Sequence, residues 1–120
     1  MHRLWIALGS LAGLTAVAAA AASAHLLEGA APGAARAAAS GVQMQGWHAL
    51  ALVACGLWAE RRPGILPQCA GAAFALGTLS FCMATYAFAF GGLSLGPLAP
   101  IGGTLLMLGW LLLGASAARR

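Results

Sequence analysis

The chain has 120 residues, of which 62% are hydrophobic and only 7% are charged, whereas an ordinary soluble domain carries about 25% charged residues. A water-soluble fold needs more polar surface than this, and the mean hydropathy of +0.89 agrees. The net charge of +4 comes from six arginines that lie between apolar segments and form no basic stripe with interleaved aromatics, which excludes a nucleic-acid-binding surface.

Four stretches of the chain are long and apolar enough to cross a membrane, since a helix needs about 20 apolar residues to span a hydrocarbon core of about 30 Å. The predicted spans are residues 4–27, 38–59, 66–90 and 98–117. The short connections hold glycines and prolines typical of turns rather than a further domain. We therefore predict an all-α fold, a single transmembrane domain over residues 1–120 that forms an integral membrane four-helix bundle.

The first span also resembles a secretory signal. Arg3 precedes a long apolar run, and Ala22–Ala24 matches a small-x-small cleavage site. Cleavage after Ala24 would leave three spans and an external N-terminus. The apolar run exceeds the usual length of about 7–15 residues, which favours a retained helix, and the alternative stays open at this point.

The arginines predict the orientation of the bundle. In a four-span arrangement, one side of the membrane holds Arg3, Arg61, Arg62, Arg119 and Arg120. Only Arg36 lies on the other side. Because cytoplasmic loops carry an excess of Lys and Arg, we expect both termini in the cytoplasm. The tryptophans near the span ends are interpreted as interfacial aromatics; they are Trp5, Trp58 and Trp110.

Small residues at helical spacing predict where helices touch, because membrane helices associate through close packing of Gly, Ala and Ser. Gly9 and Gly13 offer such a face on the first span, and the third span offers Gly71, Ala75 and Thr78. The corresponding positions on the fourth span are Gly102, Gly103 and Gly109.

Polar residues inside the second and third spans predict a polar interior. Gln45, His48 and Cys55 share one face of the second helix. The third helix has a similar face that carries Thr78, Cys82, Thr85 and Tyr86. His48 either bonds to Gln45, Tyr86 or a backbone carbonyl and fixes helix register, or it binds a metal, haem, quinone or proton. His25 lies at the outer end of the first helix, too far along the bundle for us to expect a shared metal site with His48.

Catalytic chemistry is poorly represented. The chain has no Asp, and its two acids, Glu28 and Glu60, lie in loops, so we expect no paired-carboxylate site and no Ser/His/Asp set. The three cysteines have no metal-binding spacing and are predicted to pack as small hydrophobes. We therefore expect no enzyme activity, no metal site and no cofactor.

The segment Gly41–Leu52, GVQMQGWHALAL, is similar to the Q-x-Q-x-x-H-A-L-A-L pattern of the domain-of-unknown-function family 423. This family comprises small bacterial membrane proteins and includes the eukaryotic transmembrane protein 256. Ala22–His25 resembles its G-A-H segment with small residues in place of the usual Gly. Phe81–Tyr86 resembles F-S-x-x-L-Y, although Cys82 and Thr85 replace Ser and Leu. Leu98–Gly103, followed by Gly109 and Trp110, resembles the closing T-P-I-G-G and G-W signature.

The resemblance implies a four-helix protein of the bacterial inner membrane and says little about activity. It directs attention to His25, Gln43, Gln45, His48, Tyr86 and Pro100–Gly103.

Two functional hypotheses follow. The first is a structural or accessory subunit, or an assembly factor, of a larger membrane complex such as a respiratory one, with other membrane subunits or further copies of the chain as partners alongside the lipid bilayer. The second is a stand-alone carrier or binding module that uses the polar interior around His48 for a proton, quinone, haem or small solute.

Overall fold

The computed structural model describes residues 1–119, and this part of the chain forms four helices joined by short turns. They are α1 (His2–Leu26), α2 (Pro32–Arg61), α3 (Ile65–Gly91) and α4 (Leu98–Ala118). The predicted all-α, four-helix fold is thus confirmed.

Helix α2 begins at Pro32, six residues before the predicted span starts at residue 38. Proline fits the first turn because that turn needs no bonded backbone N–H, and the alanine-rich stretch after it has high helix propensity. At 30 residues, α2 is about 45 Å long and exceeds a hydrocarbon core of about 30 Å. Helix α2 therefore extends beyond the hydrocarbon core. Gly92 ends α3 in the left-handed conformation, with φ 65°, which glycine adopts without strain.

The helices pack as a flattened, antiparallel bundle with Cα extents of 52 × 26 × 18 Å. Helix α1 packs mainly on α2, α2 packs on α3, and α4 packs mainly on α3. Ten residues of α2 and ten of α3 are buried, against three of α1 and four of α4. Helices α2 and α3 therefore form the centre, and α1 and α4 lie at the flanks. The buried apolar core is formed by Trp5, Ala51, Leu52, Cys55, Ala70, Phe74 and Leu106.

Helices α1, α3 and α4 are long and apolar enough to cross a membrane, with mean hydropathies of 1.8, 1.6 and 1.8. Helix α2 is not among them, because Gln43, Gln45 and His48 lower its hydropathy. It joins the end of α1 to the start of α3 and packs along both. If α1 and α3 cross the bilayer in the same direction, α2 crosses between them, and its polar residues are shielded where they face its neighbours.

The arginines of the described residues separate as the sequence predicts. One end of the bundle carries Arg3, Arg61, Arg62 and Arg119. It is formed by the starts of α1 and α3 and by the ends of α2 and α4. There, Nη1 of Arg62 donates a hydrogen bond to the carbonyl oxygen of Arg119 at 3.3 Å. Arg36 lies at the opposite end, in the first turns of α2. Arg120 lies outside the described residues. The cytoplasmic location of the arginine-rich end remains a prediction, and we call it the arginine end below.

Large apolar side chains cover the outside of the bundle, as is expected of a membrane protein in contact with lipid. Leu14 of α1 is 69% exposed and Leu111 of α4 is 71% exposed. Such exposure is costly in water and favourable in hydrocarbon, which agrees with the apolar helices in placing the protein in a membrane.

Candidate functional site

Gln45 connects three helices through its side-chain amide. The hydroxyl of Tyr86 on α3 donates a hydrogen bond to Oε1 of Gln45 at 2.7 Å. Nε2 of Gln45 donates to the carbonyl oxygen of Ala12 at 2.9 Å and to Oγ1 of Thr15 at 2.6 Å, both on α1. Both amide hydrogens and the amide oxygen are therefore paired, and the predicted polar faces of α2 and α3 do meet at this point.

The hydroxyl and thiol groups next to this network are also turned toward backbone oxygens. Thr85 donates to the carbonyl oxygen of Phe81 in its own helix at 3.1 Å. Sγ of Cys82 lies 3.5 Å from the carbonyl oxygen of Gly41, on α2. Gly41 is required there, because a Cβ at this position would lie 2.6 Å from Oγ1 of Thr85 and from Cε1 of Tyr86. Close approach of α2 and α3 thus brings Tyr86 within reach of α2.

His48 lies one turn further along α2, where it is 3% exposed. Its Nδ1 is 2.6 Å from the carbonyl oxygen of Met44. Because a carbonyl only accepts, Nδ1 carries the hydrogen, and Nε2 is the acceptor. Nε1 of Trp110, on α4, donates to this Nε2 at 3.0 Å. The ring is thus a neutral imidazole with both nitrogens paired, which leaves no lone pair for a metal or haem iron and no free acceptor for a proton.

An aromatic cluster surrounds the His48 ring. The rings of His48 and Phe74 lie 5.8 Å apart between centroids, and those of Phe74 and Trp110 lie 5.1 Å apart at 72°. Tilted and edge-to-face arrangements of this kind are the favoured ones. Gly109 makes room for them, because a Cβ there would lie 2.6 Å from Cδ1 of Phe74. His48 is therefore held by packing on α3 and by a hydrogen bond from α4.

The tryptophans interpreted as interfacial aromatics also form hydrogen bonds between helices, although they differ in burial and Trp110 is 49% exposed. Trp5 is 4% exposed, and its Nε1 donates to Oε1 of Gln68 on α3 at 2.7 Å. Nε1 of Trp58 donates to Oγ of Ser116 on α4 at 3.0 Å. Together with Trp110, each of these indoles bridges two non-consecutive helices. These bonds do not fix the depth of the indoles in a bilayer, so the interfacial position of the three tryptophans stays a prediction.

His25 and Gln43 lie apart from the interior network. His25 is exposed in the last turn of α1. Gln43 is exposed on α2 and, with Ser23 and Glu28, borders a pocket of about 430 Å³ at the outer ends of α1 and α2. Of the five predicted polar positions, the structure brings Gln45 and Tyr86 into direct contact, places His48 in a separate cluster and leaves these two on the surface.

The predicted packing glycines differ in how closely they are approached. A Cβ at Gly9 would lie 2.7 Å from the carbonyl oxygen of Ala49, and one at Gly102 would lie 2.5 Å from the backbone nitrogen of Phe81. Gly13 has ordinary spacing, 3.8 Å from the Cβ of Ala49. Within residues 1–119, no atom of another helix lies within 4 Å of a Cβ at Gly103, so the structure assigns it no close helix contact. Gly71, on the predicted face of the third span, is also closely approached, as are three glycines that the predicted set omitted, namely Gly41, Gly56 and Gly77.

Two of the three cysteines pack in the interior, and the third lies on the surface. Cys55 and Cys82 are buried and Cys69 is exposed. Sγ of Cys55 donates to the carbonyl oxygen of Pro67 at 3.1 Å, across the α2–α3 interface. Over the residues that the structure describes, no three His, Cys, Asp or Glu side chains converge as a metal site would require.

One family model, described as "Protein of unknown function (DUF423)", matches residues 19–103, which is more than half of the chain. The match includes the Gln45 network, His48 and the start of α4 up to Gly103. No curated protein and no solved structure matches the chain.

Proposed function

The chain belongs to the DUF423 family of proteins of unknown function, and we propose that it is a non-catalytic helical module that packs against another membrane protein, as an accessory subunit or assembly factor. The observation that carries the proposal is a patch on the outer face of α2 that suits a protein partner better than lipid. We call Gln43, Gly46, Trp47 and Leu50 the α2 outer patch; their spacing of three, one and three residues places them on one helical face.

Gln43 is exposed in the part of α2 that lies toward its outer end. If the hydrocarbon begins near Ala59 at the arginine end, Gln43 lies 16 residues further along α2, or about 24 Å. This is still inside a core of about 30 Å. A primary amide in hydrocarbon needs hydrogen-bond partners, and helix–helix contacts supply them. The exposed amide thus favours a neighbouring protein over acyl chains.

The position of Trp47 also favours a protein partner over lipid. It is 54% exposed and lies 12 residues from Ala59, or about 18 Å, close to the middle of the bilayer. Tryptophans that face lipid are enriched at the interfaces rather than at this depth, whereas Trp is a frequent anchor of protein interfaces. Among the described residues, no atom of another helix lies within 4 Å of a Cβ at Gly46, so a partner helix can approach the backbone between Gln43 and Trp47.

The interior supports a structural role rather than catalysis. The amide of Gln45 and both ring nitrogens of His48 are already hydrogen-bonded within the bundle. Glu28 and Glu60 are both exposed and lie at opposite ends of the bundle, so they form no pair for acid–base catalysis. A carrier role for His48 would require the Trp110 bond to break, and no contact in the described structure favours that alternative.

Affinity purification of the full chain from its native membranes, in mild detergent, tests the proposal. We expect one larger membrane protein to co-purify in fixed stoichiometry with the wild type, and the complex to be reduced strongly by Gln43→Leu and Trp47→Ala. Leu111→Ala, on the exposed face of α4, is the matched control and is expected to retain the partner. Recovery of the chain alone, or only as copies of itself, would refute the accessory role.

A further inference from the structure

A pocket of about 230 Å³ lies at the arginine end, where the turn between α2 and α3 faces the last residues of α4. Two arginines line it, Arg62 in the turn and Arg119 directly after α4. No acidic residue of the described chain is among its lining residues. We call it the arginine pocket. Its lining presents positive charge from two helices at once, which is suited to an anion.

The guanidinium of Arg62 is held in place from two directions. Its Nη1 donates to the carbonyl oxygen of Arg119 at 3.3 Å, and its Cζ lies 5.7 Å from the centroid of the Trp58 ring. The Trp58 ring is itself bonded to α4, through Nε1 to Oγ of Ser116 at 3.0 Å. The other N–H groups of this guanidinium form no hydrogen bond to residues 1–119. An oriented side chain with unused donors loses less freedom on binding a ligand than a mobile one.

The positive charge at this end of the bundle is not neutralised by the described part of the chain. Glu60 is the one acidic residue there, beside the four arginines of the arginine end. Its Oε1 lies 4.0 Å from Nε2 of His2, and no arginine within residues 1–119 forms an ion pair with a carboxylate of those residues. The arginines therefore remain available to an external anion.

The arginine pocket lies at the depth of lipid headgroups. With the hydrocarbon boundary near Ala59, Arg62 follows by three residues, or about 4.5 Å of helix. The headgroup layer extends about 5–7 Å beyond each side of a hydrocarbon core of about 30 Å. Basic pockets between transmembrane helices bind anionic lipid headgroups at this level.

The arginine pocket also has an apolar side, which distinguishes a lipid from a free anion. Ile65 begins α3, lines the pocket and is 70% exposed. Leu66 follows it in the lining and is partly exposed. A ligand that matches both sides has a negative head for the arginines and apolar chains for the start of α3.

We propose that the arginine pocket binds the headgroup of an anionic phospholipid. Arg62 and Arg119 donate hydrogen bonds to the phosphate oxygens, which arginine recognises through its planar fork of N–H groups. The acyl chains pass from the headgroup along Ile65 toward the hydrocarbon. The site lies at the end of the bundle and shares no residue with the α2 outer patch, so it does not depend on the proposed function.

Microscale thermophoresis of the delipidated full chain in detergent tests the proposal with three titrants. Dioctanoylphosphatidylglycerol carries a net negative charge, whereas dioctanoylphosphatidylcholine has the same chains and phosphate and no net charge. Inorganic phosphate is the third titrant and lacks the chains. We expect the phosphatidylglycerol to bind about tenfold more tightly than either of the others. Equal binding of the phosphatidylcholine would remove the charge selectivity, equal binding of phosphate would assign the pocket to a free anion, and either result would overturn the proposal.

Matched double variants separate this pocket from general attraction between arginines and anionic lipid. Arg62→Gln/Arg119→Gln removes the two pocket arginines, and Arg3→Gln/Arg61→Gln removes two arginines of the same end that do not line the pocket. Each variant loses two positive charges, so general attraction predicts equal effects. We expect the first variant to weaken phosphatidylglycerol binding about tenfold and the second less than about threefold.

Equal weakening by the two double variants would overturn the assignment of the pocket, as would wild-type affinity of Arg62→Gln/Arg119→Gln. Thermal unfolding in detergent without lipid is the folding control, and we expect both variants to unfold at the wild-type temperature. If the pocket variant unfolds early, the single variants Arg62→Gln and Arg61→Gln, adjacent in the chain and equal in charge, provide the same comparison.

Discussion

Trp110 of α4 donates its indole N–H to Nε2 of His48 on α2 at 3.0 Å, while Nδ1 of the same ring bonds to Met44. A histidine that the sequence marks as a possible ligand-binding residue is thereby a fully bonded structural residue. The bond joins two helices that are not consecutive in the chain, and it fixes the position of α4 against the centre of the bundle.

Trp110→Phe tests this relationship. An aromatic ring is retained, but the smaller phenyl group lacks the indole N–H and part of the packing against Phe74, so Nε2 of His48 is left buried without a donor. We expect the free energy of unfolding to fall by about 1–2 kcal/mol, measured by reversible denaturation in detergent micelles. Trp47→Phe is the control, because Trp47 is 54% exposed, and it is expected to change the isolated chain little. Equal stability of Trp110→Phe and wild type would contradict the assigned bond.

Gln45→Leu removes the amide that joins α1, α2 and α3. We expect a loss of about 1–3 kcal/mol of unfolding free energy, because bonds to Ala12, Thr15 and Tyr86 are lost together and each membrane hydrogen bond contributes about 0.6 kcal/mol on average and up to about 1.7. A double-mutant cycle with Tyr86→Phe in the same denaturation assay should show a coupling energy above about 0.5 kcal/mol. Additive losses of unfolding free energy in the double variant would show that the side chains of Gln45 and Tyr86 are not in contact. The outward-facing Gln43→Leu serves as the control and should leave the stability of the isolated chain unchanged.

The adjacent glycines Gly102 and Gly103 differ in packing, because a neighbouring helix closely approaches the first and not the second. Alanine substitution at each position tests whether the close helix contact requires glycine. A Cβ at Gly102 would meet the backbone of Phe81 at 2.5 Å, whereas one at Gly103 would meet no atom of another helix within 4 Å in the described part of the chain. Gly102→Ala is therefore expected to separate α3 from α4 and to cost about 1–3 kcal/mol through overpacking. Gly103→Ala should be neutral or slightly stabilising, since alanine favours the helix. The thermal unfolding temperatures of the two variants in detergent test this difference. A Gly103→Ala variant that is less stable than Gly102→Ala would contradict the α3–α4 interface.

The orientation predicted from the arginines is tested by cysteine labelling in intact cells. In a background with Cys55, Cys69 and Cys82 replaced by alanine, a cysteine at Gly29 should react with a membrane-impermeant maleimide added outside. A cysteine at Gly64 should react only after the cells are opened. Labelling of Gly64 from outside would reverse the orientation.

The sequence predicts the helices well because the length and apolarity of a span follow directly from bilayer thickness. It also brings Gln45 and Tyr86 together, since each lies on a polar helical face and such faces pair inside a bundle. It does not predict the Trp110–His48 bond, because Thr104 and Ser116, the other polar residues of α4, each lie six residues from Trp110 and form no polar helical face with it. A tryptophan near a span end is equally typical of an interface.

The glycines that are closely approached by another helix likewise cannot all be predicted from the sequence. The chain contains 17 glycines, so a spacing of three or four residues arises at many positions by chance. Which glycine is approached depends on the crossing point of two helices. That point selects Gly102 rather than Gly103, and it selects Gly71 because the ring of Trp5 lies against it.

Site-specific photo-crosslinking at residue 47 in living cells tests the central claim most directly. A benzophenone amino acid at position 47 samples the α2 outer patch at mid-bilayer depth, and the same amino acid at Leu111 samples the exposed face of α4. We predict one dominant crosslink to a different membrane protein from position 47, absent from position 111 and lost when Gln43 is also changed to Leu. Crosslinks only to lipid, or only between two copies of this chain, would contradict the account.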